Sequence, residues 1–171
     1  SKFINTKSDF SYPYYRDQAY CIGLGMSSRE IFLSFLAKKE DPNSGGKQMP
    51  QHFSHLGLNI VSQSSPTGTQ YLQAVGASFV LQRESKNSLV YVSSGEGTTS
   101  QGDFHEALNW ASRKKSPVLF HIENNNYAIS VPIEDQTSGG SVYDMSAGYD
   151  SLMRYDINGC DYFESYLAFD K

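Results

Sequence analysis

The chain has 171 residues, enough for one domain with a buried core, and its apolar share of 39%, before the 14 glycines are added, is in the range of globular proteins. Its net charge of −4 comes from interspersed acids and bases, so no basic stripe favours binding to nucleic acid. No apolar run approaches the roughly 20 residues of a membrane span, and the first ten residues lack the apolar core of a signal peptide.

The two cysteines, Cys21 and Cys160, lie far apart and have no Cys or His partner nearby in the sequence. This spacing is not typical of a disulfide framework and favours a reducing compartment such as the cytoplasm. We therefore predict that both thiols are buried and serve as small apolar side chains. The chain also begins without Met, which is typical of a processed or cut chain.

Residues 1–63 are predicted to be a lead-in that is rich in helix and loop. Ser27 and Glu30 have the spacing of a capping box, and apolar residues recur at helical intervals after them. The predicted helix ends before Asp41-Pro42, where a run of turn residues begins. A loop from Lys47 to Ser64 follows, so no strand is predicted in this part.

Residues 64–171 have the alternating pattern of a βαβ core. The predicted strands are residues 88–92, 117–122 and 152–157, and helices are predicted to begin at the N-cap Ser65 with Pro66 next, at the caps Ser100 and Asp103, and at Asp161. Strands that alternate with helices in this way predict an α/β fold with a parallel sheet flanked by helices.

Polar and glycine-rich segments follow two neighbouring predicted strands. The first segment reads Gly95-Glu96-Gly97 and the second reads Glu123-Asn124-Asn125. One helix joins these strands, and the carboxyl ends of parallel strands meet at one edge of the sheet, where ligands of such folds bind. We therefore predict that Glu96 and Asn125 lie close together.

The side chains at this edge favour a hard metal ion. Glu96 offers a carboxylate between two glycines that let the backbone approach a ligand closely, and Asn125 offers an amide oxygen. Ligation by a few protein oxygens suits Mg²⁺ or Ca²⁺, and Mg²⁺ commonly keeps positions for phosphate oxygens. The sequence therefore predicts a site for a metal ion and the diphosphate group of a cofactor.

Two other kinds of site fit the pattern less well. A nicotinamide-binding loop has the form G-x-G-x-x-G, but Ser100 stands at the third glycine position, and Glu96 would repel a pyrophosphate that carried no metal. His52 and His55 have H-x-x-H spacing without a Glu between them and without helical periodicity, so zinc is not predicted there.

Together the two motifs resemble the thiamine diphosphate motif. Residues 95–109 and 124–130 are similar to the alpha subunit of the decarboxylating component of 2-oxo acid dehydrogenase complexes, and the resemblance extends from about Tyr15 to the end. It implies that residues 1–171 are part of a thiamine-diphosphate-binding fold, truncated at both ends. The implied location is the cytoplasm, or the mitochondrial matrix in a eukaryote.

The resemblance also implies which residues form the site. The implied Mg²⁺ ligands are the Glu96 carboxylate, the Asn125 side chain and the Tyr127 backbone carbonyl. Tyr15 and Arg16 resemble a pair that holds the diphosphate, to which Arg presents a fork of donors. The other implied cofactor contacts are Ser65, Thr67, Gly95, Gly97, Thr98 and Glu123.

A further segment, residues 64–70, resembles the Ser-Ser-Pro-x-x-Thr-Gln segment of the family. In the family the second Ser and the residue after Pro line the cofactor, and here these are Ser65 and Thr67. The same segment can hold a potassium ion in the family, through positions that correspond to Ser64, Pro66, Thr69 and Gln70.

The segment Gln48-Met49-Pro50-x-His52 resembles branched-chain members of the family. It implies oxidative decarboxylation of 2-oxoisovalerate or a related branched-chain 2-oxo acid, with acyl transfer to a lipoyl group. The nearest alternative is the alpha subunit of a pyruvate or acetoin dehydrogenase. Tyr14, Asn126 and Asn158 depart from the pattern of many relatives, and none of them removes an implied metal ligand.

The resemblance places other parts of the active site outside these residues. The family has an active-site His loop after this region, and a carboxylate that activates the cofactor comes from a beta subunit or a fused beta-type domain. We assign no catalytic acid or base here and expect this chain alone to be inactive. The implied partners are that beta part, a lipoyl acyltransferase and a 2-oxo acid. The other alternative is a truncated, non-catalytic module that binds cofactor or partners.

Overall fold

A three-stranded parallel sheet lies at the centre of the computed structural model, which describes residues 1–84 and 87–171. Its strands are β1 (Phe10–Tyr12), β2 (Val90–Gly95) and β3 (Val118–Glu123), in the order β1-β2-β3. Both outer strands run parallel to β2, with Tyr12 opposite Val92 and Gly95 opposite Glu123. The predicted α/β fold with a parallel sheet is confirmed, and all three carboxyl ends open on one edge.

Two long helices, α3 (Thr69–Arg83) and α4 (Gly102–Lys114), pack with the sheet in the main core. The buried face of α4 consists of Phe104, Ala107, Leu108 and Ala111. The fully buried alanines let α4 approach its neighbours closely. Arg113 and Lys114 lie in the last turn of the helix, where cations are favourable, and Lys115 adopts a left-handed conformation at its C-cap.

The lead-in forms two short helices, α1 (Gln18–Leu24) and α2 (Ser28–Phe35), and a 3₁₀ turn (Leu56–Leu58). The predicted capping box is confirmed: the Ser27 hydroxyl accepts from the Glu30 N–H at 3.3 Å, and the Glu30 carboxylate accepts from the Ser27 N–H at 2.7 Å. A second core joins these elements and is formed by Cys21, Leu24, Met26, Ile31, Phe53 and Ile60. The strand β1 was not predicted in this part.

Short elements follow β3. They are the hairpin of β4 (Tyr127–Ala128) and β5 (Val131–Pro132), then α5 (Ile133–Gln136), a 3₁₀ turn (Ser138–Gly140), α6 (Val142–Met145), a 3₁₀ turn (Ser146–Gly148) and α7 (Tyr162–Phe169). The predicted helix start at Asp161 is confirmed, since its carboxylate accepts from the N–H groups of Phe163 and Glu164 at 2.8 and 3.0 Å. In the part of the chain that is described, no helix is long and apolar enough to cross a membrane.

The predicted caps of two helices are wrong. Helix α3 begins at Thr69 and not beside Ser65, because Gly68 adopts a positive φ of 93° that interrupts helical geometry, while the Ser65 hydroxyl bonds to His52. Helix α4 follows Gln101, which makes no side-chain cap. Ser100 instead closes the 3₁₀ turn Glu96–Ser100, and Asp103 lies in the first turn of α4.

The predicted strand at residues 152–157 is also wrong. This segment has no regular secondary structure and pairs with no strand among the described residues. Its contacts hold it to the preceding elements: the Arg154 guanidinium lies 4.4 Å from the Tyr143 ring centre and donates to the Tyr143 carbonyl, and the Leu152 N–H donates to Tyr149. The segment therefore follows α6 and does not reach the edge of β3.

One of the two cysteine predictions is wrong. Cys21 is fully buried, as predicted, and burial raises the pKa of its thiol. Cys160 is exposed in the turn that follows Asn158. Its N–H donates to the Asn158 side chain at 3.1 Å, a local turn contact that holds the residue at the surface. Both thiols are free.

Candidate active site at the strand ends

Loops from all three strands meet at the carboxyl edge of the sheet. Tyr14 follows β1, Glu96 follows β2, and Glu123 ends β3. Gly95 lies between them: a methyl group added there would be 3.8 Å from the Glu123 carbonyl oxygen and 3.9 Å from the Tyr14 ring. The structure therefore brings the GEG and ENN segments together as neighbours, and it adds the Tyr14–Arg16 turn to the same edge.

Glu96 is almost completely buried, with 1% of its surface exposed. Its Oε2 accepts from the Asn125 N–H at 3.3 Å, but its Oε1 is buried and has no hydrogen-bond partner within the described ranges. The Glu96 carbonyl is held by the Gln136 amide at 3.1 Å and by the Thr99 hydroxyl at 2.7 Å. A buried carboxylate oxygen without a partner is costly, and a bound cation would satisfy it.

The loop after β3 brings further oxygen atoms to this edge. The Asn125 Oδ1 accepts from the Tyr127 N–H at 3.0 Å, which ties the amide to the start of β4. Tyr127 is paired with Pro132 across the hairpin, and proline has no N–H to donate to the Tyr127 carbonyl. Asn126 adopts a positive φ of 67°, a conformation that Asn tolerates better than most residues.

These groups fit a magnesium ion better than a transition metal. No cluster of three or more His, Cys, Asp or Glu side chains that could hold a metal occurs in residues 1–84 and 87–171. A metal at this edge would therefore take the free Glu96 oxygen together with amide and carbonyl oxygens. Such a set is typical of Mg²⁺, which leaves positions for phosphate oxygens.

A buried polar network supports the edge from below. The Tyr14 hydroxyl donates to the Glu123 carboxylate at 2.8 Å, and the Tyr14 N–H lies 3.2 Å from both Asp17 Oδ2 and Ser93 Oγ. The Ser93 hydroxyl also donates to Asp17. Burial raises the pKa of Asp17 to about 7, hydrogen bonds from Ser93 and Tyr14 oppose this shift, and the charge of Glu123 adds to it.

Tyr15 and Arg16 lie exposed at the rim of the site. The Arg16 guanidinium stacks 4.6 Å from the centre of the Tyr15 ring. Burial raises the pKa of Tyr14, its hydrogen bond to Glu123 raises it further, and Arg16 opposes the shift, so the guanidinium lies near the Tyr14 hydroxyl. The Arg16 cation therefore lies near the Tyr14–Glu123 pair at the strand ends.

Residues 64–70 run beside the GEG loop. A methyl group added to Gly68 would be 2.9 Å from Gln101 and 3.8 Å from the Thr98 side chain. The Gln70 amide donates to the Ser93 carbonyl at 3.3 Å, so it is turned towards β2. The Thr69 hydroxyl donates to the Pro66 carbonyl at 3.0 Å, which brings those two oxygens together. Ser64 is half-buried, while Ser65 and Thr67 are exposed.

Two histidines of the H-x-x-H segment point to different partners. The His52 Nε2 lies 2.8 Å from the Ser65 hydroxyl, and the His55 Nε2 lies 3.3 Å from Glu30. Sequence reasoning did not assign a site role to His52, Tyr14, Asp17 or Ser93. For Tyr14 and Asp17, the available signal in the sequence is that they flank the Tyr15-Arg16 pair. No local pattern in the sequence connects His52 with Ser65.

A cavity of about 610 Å³ lies elsewhere, beside Phe10 and Ser88 at the amino ends of β1 and β2. None of the residues predicted for the metal or the cofactor lines it. Ligands of parallel α/β sheets bind at carboxyl ends, so the edge with Glu96 remains the candidate site.

Comparison with known families identifies this architecture. Residues 1–170 match the family model described as "Dehydrogenase E1 component". The chain belongs to this family. Membership in the E1 family implies thiamine diphosphate as a cofactor.

Individual E1 alpha subunits are also similar to this chain. The chain is 42% identical over 165 residues to the 2-oxoisovalerate dehydrogenase subunit alpha of Bacillus subtilis, which covers 96% of this chain and 50% of the relative. It is 38% identical over 138 residues to a pyruvate dehydrogenase E1 component subunit alpha of Staphylococcus aureus, covering 81% of this chain and 35% of the relative.

A plant relative extends the comparison. The mitochondrial 2-oxoisovalerate dehydrogenase subunit alpha 2 of Arabidopsis thaliana is 34% identical over 163 residues, covering 95% of this chain and 34% of the relative. The chain thus spans between about a third and half of the length of these relatives.

Proposed function

We propose that this chain forms the magnesium and diphosphate half of a thiamine diphosphate site in a 2-oxo acid dehydrogenase. The observation that carries the proposal is the buried Glu96 Oε1, which has no hydrogen-bond partner in the described part of the chain and lies in the loop that contacts Asn125. A metal ion would satisfy this oxygen. The family match and the similarity to E1 alpha subunits support thiamine diphosphate as the cofactor.

Each residue at the edge has a role in this proposal. Glu96, the Asn125 amide and the Tyr127 carbonyl would hold Mg²⁺, and Arg16 would donate to the diphosphate oxygens. The remaining cofactor contacts would come from Tyr15, Ser65, Thr67, Gly95, Gly97, Thr98 and Glu123. Ser64, Pro66, Thr69 and Gln70 are proposed as potassium ligands, supported by the contact between the Thr69 hydroxyl and the Pro66 carbonyl.

In this proposal the residues of this chain orient the cofactor, and we assign none of them as an acid or base of the reaction. When bound, thiamine diphosphate supplies the carbon nucleophile and electron sink that decarboxylation of a 2-oxo acid requires. The hydrogen bonds to the Glu96 carbonyl would help to hold this loop in place for the metal and the diphosphate, and Gly97 allows the β4 hairpin to approach. Arg16 offsets the negative charge that Glu96, Glu123 and Asp17 concentrate at this edge.

We propose a branched-chain 2-oxo acid, such as 2-oxoisovalerate, as the substrate. Support comes from the Gln48-Met49-Pro50-x-His52 segment and from the relative with 42% identity, whose name specifies 2-oxoisovalerate. Pyruvate is the second candidate, because a pyruvate dehydrogenase subunit is 38% identical over a shorter span. Turnover of both 2-oxo acids by the complete enzyme would separate them.

The proposed partners complete the site and accept the product. A beta subunit or fused beta-type domain would supply the carboxylate that activates the cofactor, and a lipoyl acyltransferase would take the acyl unit. The relatives are named as alpha subunits, and this supports a beta partner.

Calorimetric titration of the complete enzyme with thiamine diphosphate and Mg²⁺ tests the proposal. Glu96→Gln keeps the size of the side chain but removes the charge that would face the metal, so we expect affinity to fall by at least roughly tenfold. Glu134→Gln, an exposed acid in α5, is the matched control and should bind as the wild type does. Wild-type affinity and Mg²⁺ dependence in Glu96→Gln would contradict the proposed metal site.

A further inference from the structure

The Ser65 hydroxyl has a partner outside its own segment. Its Oγ lies 2.8 Å from the His52 Nε2, and His52 comes from the loop that precedes the 3₁₀ turn Leu56–Leu58. The His52 side chain is 9% exposed, and its neighbour Phe53 is buried in the second core with 1% exposed. The imidazole is therefore anchored, whereas Ser65 lies at the surface of the candidate site.

The second ring nitrogen decides the direction of this hydrogen bond. His52 Nδ1 lies 3.4 Å from the Pro50 carbonyl oxygen, which can only accept. In the tautomer that directs the Nδ1 hydrogen at this oxygen, Nε2 is left as an acceptor. The Ser65 hydroxyl then donates its only hydrogen to Nε2, so the remaining lone pairs of Ser65 Oγ can accept but Oγ cannot donate elsewhere.

This direction limits which part of a ligand Ser65 can serve. The oxygens of a diphosphate are acceptors, so a Ser65 hydroxyl that is committed to His52 offers them no hydrogen. An N–H donor, such as the amine of an aminopyrimidine ring, can instead donate to Ser65 Oγ. The segment around Ser65 reaches the GEG loop through Gly68, which lies against Gln101 and Thr98.

We propose that His52 is a positioning residue that holds the Ser65 hydroxyl as a hydrogen-bond acceptor, so that Ser65 binds the amine-bearing ring of the cofactor and not its diphosphate. This inference rests on the proposed thiamine diphosphate site. It gives a role to the histidine of the Gln48-Met49-Pro50-x-His52 segment, which lies outside the metal loops.

Two titrations of the complete enzyme test the inference, one with thiamine diphosphate and one with inorganic pyrophosphate, each with Mg²⁺. His52→Phe removes the acceptor, and we expect roughly five- to tenfold weaker binding of thiamine diphosphate, the effect of one hydrogen bond. Pyrophosphate affinity should stay unchanged. His52→Gln places an amide oxygen near the Nε2 position and should restore most of the thiamine diphosphate affinity.

A double-mutant cycle separates positioning from general loss of structure. Ser65→Ala should weaken thiamine diphosphate binding as His52→Phe does, and the double variant should be no weaker than Ser65→Ala, because both changes remove one interaction. His55→Phe is the matched control, since His55 bonds to Glu30 and not to residues 64–70. It should bind both ligands as the wild type does.

The outcomes distinguish this inference from the proposed function. Additive losses in the cycle, equal losses for both ligands, or no rescue by His52→Gln would overturn the role of His52 while wild-type cofactor binding still stood. Wild-type enzyme that bound neither thiamine diphosphate nor pyrophosphate with Mg²⁺ would overturn the proposed function, and the inference with it.

Discussion

Gly97 lies where the two loops of the site approach each other closely. A methyl group added there would lie 2.8 Å from the Ala128 side chain and 3.3 Å from its Cα, so either the GEG loop or the β4 hairpin would have to move. Because that hairpin carries Tyr127, movement would separate the proposed metal ligands. We expect Gly97→Ala to weaken Mg²⁺-dependent binding of thiamine diphosphate by roughly tenfold or more, as measured by calorimetry.

Gly76→Ala provides the control for this substitution. Gly76 lies in the middle of α3, and an added methyl group would meet no atom within 4 Å. Alanine is the better helix former, so this variant should be more stable by about 0.5–1 kcal/mol and should bind the cofactor normally. Equal cofactor affinity in Gly97→Ala and Gly76→Ala would show that the close approach at Gly97 has no bearing on the site.

Asp17 joins two elements of the sheet, because it lies before α1 and accepts from Ser93 on β2 and from the Tyr14 N–H after β1. Burial raises its pKa to about 7 in the folded protein. The pKa of an aspartate in the unfolded chain is near 4. Because Asp17 ionises less readily in the folded protein, the folded state should lose stability as the pH rises from about 4 to about 7.

Asp17→Asn should remove this pH dependence while keeping an oxygen that can accept from Ser93. The stability of the variant relative to the wild type should rise by up to about 1.4 kcal/mol for each pH unit between about 4 and 7. Urea unfolding at several pH values measures this difference. The lowered pKa of His121, caused by burial, acts in the opposite direction but is common to both proteins. The exposed Asp150→Asn should follow the wild type, and a parallel course for Asp17→Asn would contradict the expectation.

Some elements depend mainly on neighbours in sequence and were predicted, whereas others depend on distant partners and were missed. The capping box at Ser27 needs only Glu30, three residues away, and its prediction is confirmed. The strand β1 exists because it pairs with β2, some 80 residues later, and no local pattern indicated it. The segment 152–157 has the composition of a strand, yet its contacts go to Tyr143 and Tyr149.

In the candidate site, the contacts set by strand topology were predicted and those set by loop conformation were not. The neighbourhood of the GEG and ENN segments was predictable, because parallel topology alone brings consecutive strand ends together, as Gly95 opposite Glu123 illustrates. The network of Tyr14 and Asp17 and the contact of His52 with Ser65 depend on how loops fold back, which local spacing does not specify.

At the scale of the whole molecule, charge opposes the proposed ligand. The net charge is −4, and the carboxylates Asp17, Glu96 and Glu123 lie at or beneath the edge where a diphosphate would bind. Binding should therefore depend on the metal and on the local cation Arg16 and not on the overall field. Removal of Mg²⁺ with a chelator is expected to abolish saturable binding of thiamine diphosphate.

Arg16→Ala and Arg29→Ala separate the local charge from the overall charge, because each removes one positive charge from the same chain. Arg16 lies at the strand ends beside Tyr14, while Arg29 is exposed on α2. Loss of charge-assisted hydrogen bonds to phosphate should weaken Mg²⁺-thiamine diphosphate binding by roughly ten- to a hundredfold in Arg16→Ala. Arg29→Ala should bind nearly as the wild type does, because solvent and salt screen a charge at the surface. If calorimetry gave equal losses for the two variants, the long-range field would dominate, and Arg16 would not be a direct ligand of the diphosphate.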